Sequence, residues 1–304
     1  MSRLDVQIGS MHLKTPVVSA SGCFGYGEEY SEFIDLNRLG AVVVKGISLK
    51  PMHGNPPPRI CETPCGMLNS IGLQNVGLKV FLKEKLPFLR TFDTKVIVNI
   101  FGNSMKDYEK LASSLDDAGV DAIELNVSCP NVRKGGIWFG TDRKMLGKLV
   151  AAIKESLQHS VLITKLSPTV SDIGEFAQIA EDAGSDAVSL INTIPGIAID
   201  INTRKPKIRN IIGGLSGPAI KPIALRMVYE TYRRVTIPII GMGGIMNASD
   251  ALEFIIAGAT AVAIGTANFI NPLTTVEIID GISSFMKQKN LTALDDLTGS
   301  LHAG

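Results

Sequence analysis

The stretch ELNVSCPNV, Glu124 to Val132, sets Cys129 beside a proline and between two asparagines, Asn126 and Asn131, at the end of a strand-like run. A free cysteine packs well as a small hydrophobe, but packing does not account for these neighbours. A thiol with a reference pKa of roughly 8.5 is a usable proton acceptor near neutral pH where its surroundings favour the thiolate, and Pro130 would help fix the loop that carries it. Each asparagine amide offers one acceptor and two donors without net charge, which suits a flat ring with alternating N–H and C=O groups. Asn69, Asn126, Asn131 and Asn192 together could surround such a ring, pointing to a pyrimidine-like or imide substrate selected by hydrogen bonds that an analogue would leave unmade. Cys129 would then act as a base. The glycine-rich RKGGIWFGTD that follows, residues 133 to 142, is suited to closing over the substrate, with Trp138 excluding water.

Two further residue types converge on the same idea. GMGGI, with Gly243 and Gly244, and IGTANF, with Gly265 and Thr266, offer backbone N–H groups of the kind that hold a phosphate. A sugar phosphate fits them, and so does a flavin mononucleotide. Lys45 and Lys165 have no acidic partner adjacent in sequence, as expected if each faces an electron-rich ligand. One of them at the N1 side of an isoalloxazine would stabilise the negative charge that builds up there on reduction. The rival role is a Schiff-base lysine in a sugar-phosphate aldolase, for which Lys165 is the candidate.

Positioning such residues requires a scaffold, and the chain has one. Short β-branched runs recur as TPVVSASG, GAVVVKG, KVIVNIFG, DAIELNVS, VLITKLS, DAVSLINT, IPIIGMGG and TAVAIGT. Between them lie amphipathic segments of helical period, such as SMKDYEKLASSLDDAG, DIGEFAQIAEDAG and NASDALEFIIAGA, which end in Ala-Gly where a left-handed cap stops a helix. Strand–helix alternation implies parallel strands, and apolar runs such as AVVV and IPII imply burial on both faces. Eight βα units in roughly 250 residues predict a (β/α)8 TIM barrel, and we expect one domain over residues 1–304. The barrel's C-terminal rim then gathers Ala20-Ser21-Gly22, Lys45-Gly46, Asn99, Asn126 with Cys129 and Asn131, Lys165, Asn192-Thr193, Gly243-Gly244 and Gly265-Thr266. Any one of these is explained as an ordinary cap or turn; their coincidence at one rim is not. Two long loops belong to the same face: residues 46–77, expected to be irregular around a proline triplet, and residues 194–213, expected to form an extra hairpin.

Composition narrows the ligand. The 304 residues are 45% hydrophobic and 19% charged, with a formal net charge of +1, so no strong field gathers nucleic acid or anionic membrane. A small molecule recognised locally fits better. The N-terminal MSRLDVQIGSMHLKTPVV has the alternation of a β-hairpin rather than the layout of an export signal, which suggests a cytoplasmic protein. The uncharged segment from Phe254 to Val276 is interrupted by Gly258, Gly265, Asn268 and Pro272, so a helix followed by a strand explains it better than a membrane span. Cys23, Cys61, Cys65 and Cys129 are expected to be reduced thiols; Cys61 and Cys65 with His53 make a weak half of a zinc site. His12, His159 and His302 are expected to be solvated.

NVSCPN, GNPPPR, ETPCGMLNSIGLQN, VNIFG, SLINT, GLSGPAIKP and GMGGI together resemble the soluble class 1 dihydroorotate dehydrogenases, over nearly the whole chain. The resemblance implies a barrel that binds one FMN and oxidises dihydroorotate to orotate, with Cys129 removing the C5 proton while a hydride passes from C6 to flavin N5. It implies substrate contacts at Lys45, Asn69, Ser70, Ile71, Gly72, Leu73, Asn126, Asn131, Asn192 and Thr193. It implies FMN contacts at Ala20, Ser21, Lys45, Gly46, Asn99, Asn126, Lys165, Ile191, Gly217, Gly243, Gly244, Gly265 and Thr266. GNPPPR, ETP-x-GMLN and FGTD look more like the NAD-linked 1B form than the fumarate-using 1A form. The 1B catalytic chain works with a second subunit carrying FAD and a 2Fe-2S cluster, in a 2+2 heterotetramer built on a homodimer core. This chain has no G-x-G-x-x-G fingerprint and no clustered cysteines to hold those centres itself. The barrel of dihydropyrimidine dehydrogenase is similar, which leaves uracil or thymine as an alternative substrate. Cys65 and Val76 depart from the family pattern, at positions outside the matched catalytic residues.

Overall fold

The computed structural model describes residues 4–127 and 140–302. Strands β1 (Val6–Ile8) and β2 (Met11–Leu13) form the expected N-terminal hairpin. The next strands are β3 (Val17–Ser19), β4 (Ala41–Ile47), β5 (Ile60–Thr63), β6 (Gly66–Asn69), β7 (Lys95–Ile100), β8 (Ala122–Asn126), β9 (Val161–Lys165) and β10 (Ala187–Leu190). They are followed by β11 (Ile194–Ile197), β12 (Ile199–Asp200), β13 (Lys205–Pro206), β14 (Ile212–Ser216), β15 (Ile239–Met242) and β16 (Ala261–Ile264). Eight of these, in the order β3-β4-β7-β8-β9-β10-β15-β16, close into a parallel barrel. Each corresponds to one of the eight runs read from the sequence.

The strands form where β-branched residues concentrate, because such side chains pack well on a pleated surface covered on both sides. Helices lie outside the barrel, and their apolar faces supply the other half of the core. Leu111 and Leu115 of Met105–Asp117, Leu149 and Ile153 of Arg143–Ser156, and Phe254 of Ala248–Ile256 are all fully buried. Short polar side chains start these helices by accepting from otherwise orphaned N–H groups: Ser104 from Asp107, Asp142 from Met145, Asp172 from Glu175 and Asn247 from Asp250. The Ala-Gly stops also hold, with Gly119, Gly184 and Gly258 all at positive φ. Among the described residues no helix is long and apolar enough to cross a membrane.

One buried acid fastens the rim opposite the site. Asp116, 3% exposed, accepts backbone N–H bonds from Gln158 at 2.7 Å, His159 at 3.1 Å and Ser160 at 2.6 Å, tying a helix end to the turn before β9. Burial alone would raise its pKa, but these donors outweigh it and hold the carboxyl below the ordinary 3.8. Its contribution is therefore full above the ordinary carboxylate value and fades as pH falls through the lower folded value. Asp116→Ala is expected to cost about 2 kcal/mol, since it strands three backbone donors, of which that of Ser160 is buried. Thermal unfolding should show the midpoint falling by several degrees with no change at the opposite rim.

The long loops depart from the sequence expectation in one respect. Residues 46–77 are not irregular throughout: β5 and β6 make a hairpin within them. The second insertion pairs β11 with β14, as expected, and β14 then pairs with β6, giving one antiparallel sheet β11-β14-β6-β5 across both insertions. Local reading could not supply this ladder, because the partner strand arrives from about 145 residues later, as Asn69 facing Gly214 illustrates.

Candidate active site

Two adjoining cavities open at the C-terminal ends of the barrel strands, beneath the sheet built from the insertions. The wider one, about 220 Å³, is lined by Ser21, Lys45, Gly46, Asn99, Asn126 and Lys165 from the barrel, and by Asn69, Ile71, Gly72 and Leu73 from the first insertion. The narrower one, about 80 Å³, is lined by Ala20, Ile191, Gly217, Gly243, Gly244, Gly265 and Thr266. Ser21, Lys165, Asn192 and Thr193 border both. Residues as far apart in sequence as Ala20 and Thr266 thus meet at one rim, as barrel geometry requires.

Alternation along each strand explains which side chains arrive. On β8, Glu124 and Asn126 share the inward face, and Asn99 on β7 stands in register with Glu124. Lys165 on β9 is in register with Asn126 on one side and Ser189 of β10 on the other. Asn99 Nδ2 donates to Glu124 Oε2 at 2.5 Å, and Asn126 Nδ2 donates to Asn99 Oδ1 at 3.4 Å. The Tyr108 hydroxyl fixes the backbone below by donating to the Asn126 carbonyl at 2.9 Å. Position 46 has no room for a side chain: a Cβ there would lie 2.8 Å from Asn99 Oδ1. On the roof, Asn69 Nδ2 donates to the Gly214 carbonyl at 3.3 Å. Asn192 Oδ1 accepts from the Thr193 N–H at 2.7 Å, which sets the orientation of its amide.

The narrow cavity is a backbone cradle. Gly217, Gly243 and Gly244 have φ of 93°, 128° and 78°, a region that favours glycine. A Cβ on Gly244 would stand 2.8 Å from the Gly217 carbonyl oxygen and 2.9 Å from the Lys221 nitrogen, and one on Gly243 would stand 2.8 Å from Ala224 Cβ. Among the described residues the N–H groups of Gly243 and Gly244 make no hydrogen bond. Such a pocket of bare amides suits a phosphate, while the amide-lined chamber beside it suits a flat heterocycle. The donor set thus fits a phosphorylated flavin. The Thr266 hydroxyl donates to Ser216 Oγ at 2.7 Å, tying the insertion sheet to the end of β16.

Several sequence expectations need correction. Lys165 does have an acidic partner: its Nζ lies 3.4 Å from Glu124 Oε2, and both residues are buried. Lys45 has none among the described residues; burial, and then the charge of Arg59, lowers its pKa. Ser70 is not at the cavity wall. It is 2% exposed, its N–H donates to the Arg59 carbonyl and its own carbonyl accepts from Asn55 Nδ2, because alternate residues of an extended segment face opposite ways. Cys129, Asn131 and Trp138 lie outside the described residues. Cys23, Met67, Ser216 and Phe269 border the cavities without having been expected there. Burial pushes the Cys23 thiol up to about 11 despite the opposing charge of Lys165, so at neutral pH it is a thiol and not a base.

A family model described as dihydroorotate dehydrogenase matches residues 3–286. The chain belongs to the dihydroorotate dehydrogenase family. Within that family it is 57% identical over 298 residues to a protein of Thermoanaerobacter sp. (strain X514), covering 98% of each chain. It is 54% identical over 301 residues to one of Thermodesulfovibrio yellowstonii, covering 99% of each. Both relatives are named dihydroorotate dehydrogenase B (NAD(+)), catalytic subunit. The barrel is also similar to the crystal structure of a dihydroorotate dehydrogenase from Eimeria tenella in complex with ferulenol, with a TM-score of 0.82 at 23% identity, covering 99% of this chain and 89% of that one. This last likeness speaks for the fold.

Proposed function

We propose that this chain is the catalytic subunit of an NAD+-linked dihydroorotate dehydrogenase, an FMN-dependent enzyme that oxidises (S)-dihydroorotate to orotate in de novo pyrimidine biosynthesis. The observation that carries this reading is the junction of the two cavities, a phosphate-sized cradle of bare amides opening into a chamber lined by amides and ammonium groups. Bound FMN would supply the two-electron acceptor, taking the C6 hydride at N5. Gly217, Gly243, Gly244, Gly265 and Thr266 hold its phosphate, and Ala20, Ser21, Gly46, Asn99, Lys165 and Ile191 line the way to its ring. Lys45, Asn69, Ile71, Gly72, Leu73, Asn126, Asn192 and Thr193 hold the substrate, joined by Asn131. Ser70 supports that wall from behind. Cys129 takes the proton from C5, so the substrate gives up one proton to sulfur and one hydride to the acceptor.

Lys165 is unsuited to the rival Schiff-base role. A Schiff-base lysine must present a free amine to a carbonyl, whereas Lys165 Nζ is already engaged by Glu124 Oε2 at 3.4 Å and Ser21 Oγ at 3.0 Å. Electrons then leave to NAD+ through a separate subunit carrying FAD and 2Fe-2S, in a 2+2 heterotetramer. Relatives named as catalytic subunits support a separate partner. Free thiols at Cys23, Cys61 and Cys65 suit the reducing cytoplasm. The test is to reconstitute the purified chain with FMN and to copurify it from its native host. One FMN per chain and a co-eluting subunit with FAD and iron are expected; a chain that takes up no FMN overturns the reading.

A further inference from the structure

Glu124 stands below the rim at 3% exposure, two residues before Asn126 on the inward face of β8. Its carboxylate gathers groups from three other strands. Oε2 accepts from Asn99 Nδ2 at 2.5 Å and faces Lys165 Nζ at 3.4 Å, while Oε1 accepts from Ser189 Oγ at 2.8 Å. A carboxylate this deeply buried is costly unless paired and hydrogen-bonded, and here both oxygens are engaged. Lys165 passes the connection upward, donating to Ser21 Oγ at the cavity wall at 3.0 Å. The two rim lysines are therefore unlike in kind: Lys165 has a buried counter-ion, and Lys45 makes no ion pair among the described residues.

We propose that Glu124 is a positioning residue that fixes the electrostatics beneath the flavin ring: it holds Lys165 aimed at Ser21, orients Asn99, and offsets part of the Lys165 charge, so setting the reduction potential of the bound flavin. The inference rests on the FMN reading of the rim. Its physics is Coulombic. A cation near a ring that gains negative charge on reduction raises the potential, and a carboxylate a few ångströms from that cation takes some of the effect away. Glu124 is absent from the rim in a reading by strand ends because it sits one inward position deeper, and its partner Lys165 is 41 residues away.

The test compares Glu124→Gln with the unaltered FMN-loaded chain by spectroelectrochemical titration across pH. The amide keeps the shape and an acceptor oxygen but removes the charge. The expected result is a yellow protein whose flavin potential moves positive near neutral pH. Ser189→Ala, which deletes a hydrogen bond and keeps the charge, should leave the potential unchanged. A Glu124→Gln potential equal to that of the unaltered chain, or an equal shift in Ser189→Ala, overturns the proposal. Should Glu124→Gln fail to fold, Glu124→Asp decides, since it keeps the charge but withdraws it from Lys165 and Asn99. Its flavin potential should also move positive, and a potential equal to that of the unaltered chain overturns the inference. A chain that takes up no FMN sinks the flavin reading instead, and a crystal structure of Glu124→Gln in which Lys165 still donates to Ser21 and Asn99 is unmoved overturns the positioning role by itself.

Discussion

Cys129→Ala is expected to slow reduction of the FMN-loaded chain by dihydroorotate by about 10²–10⁴-fold, the usual worth of a positioned general base. Flavin content should be unchanged, because the phosphate and ring are assigned to other residues. Cys23 does not substitute for it. Cys23 borders both cavities, but burial holds it as a neutral thiol up to about pH 11. Stopped-flow absorbance under anaerobic conditions reads the rate directly. A rate within a factor of two or three of the unaltered chain would show that the thiol is not the base.

Gly244→Ala is expected to weaken FMN binding by about 10²-fold, near 3 kcal/mol, through two additive causes. The residue sits at φ 78°, where a side chain is strained, and the added methyl would meet the Gly217 carbonyl and the Lys221 backbone nitrogen rather than a movable side chain. Both push the cradle out of shape. Gly119→Ala supplies the control: it has a similar φ of 73°, stands far along the chain at the end of another helix, and its Cβ would meet only Arg90 at 3.4 Å. That variant should lose some thermal stability and keep its flavin affinity. Fluorescence titration with FMN distinguishes strain in general from strain in the cradle.

The barrel was legible because each strand is a local fact: β-branched runs such as Ala41–Val44 or Ile239–Ile240 announce a buried parallel strand without reference to any partner. The rim followed from the barrel, since strand ends converge by topology, and every residue expected there from strand ends that lies among the described residues does border the cavities or their mouth. What escaped were facts about pairs. The Glu124–Lys165 contact exists only once β8 and β9 lie side by side, so nothing near Lys165 in sequence announces it. The β6–β14 ladder joins two insertions that have no common local signal. Ser70 was grouped with its neighbours in a matched segment, although an extended chain turns every second residue away. Cys23 reads in sequence only as a reduced thiol, because nothing local indicates that it ends beside Gly265.

The central claim is that one rim holds a flavin against a dihydropyrimidine ring. It is tested most directly by adding dihydroorotate anaerobically to the FMN-loaded chain and following the yellow absorbance while assaying orotate. Rapid bleaching with one orotate formed per flavin is expected, and slower or no bleaching by dihydrouracil. A flavin that stays yellow with dihydroorotate, or that bleaches faster with dihydrouracil, would contradict it.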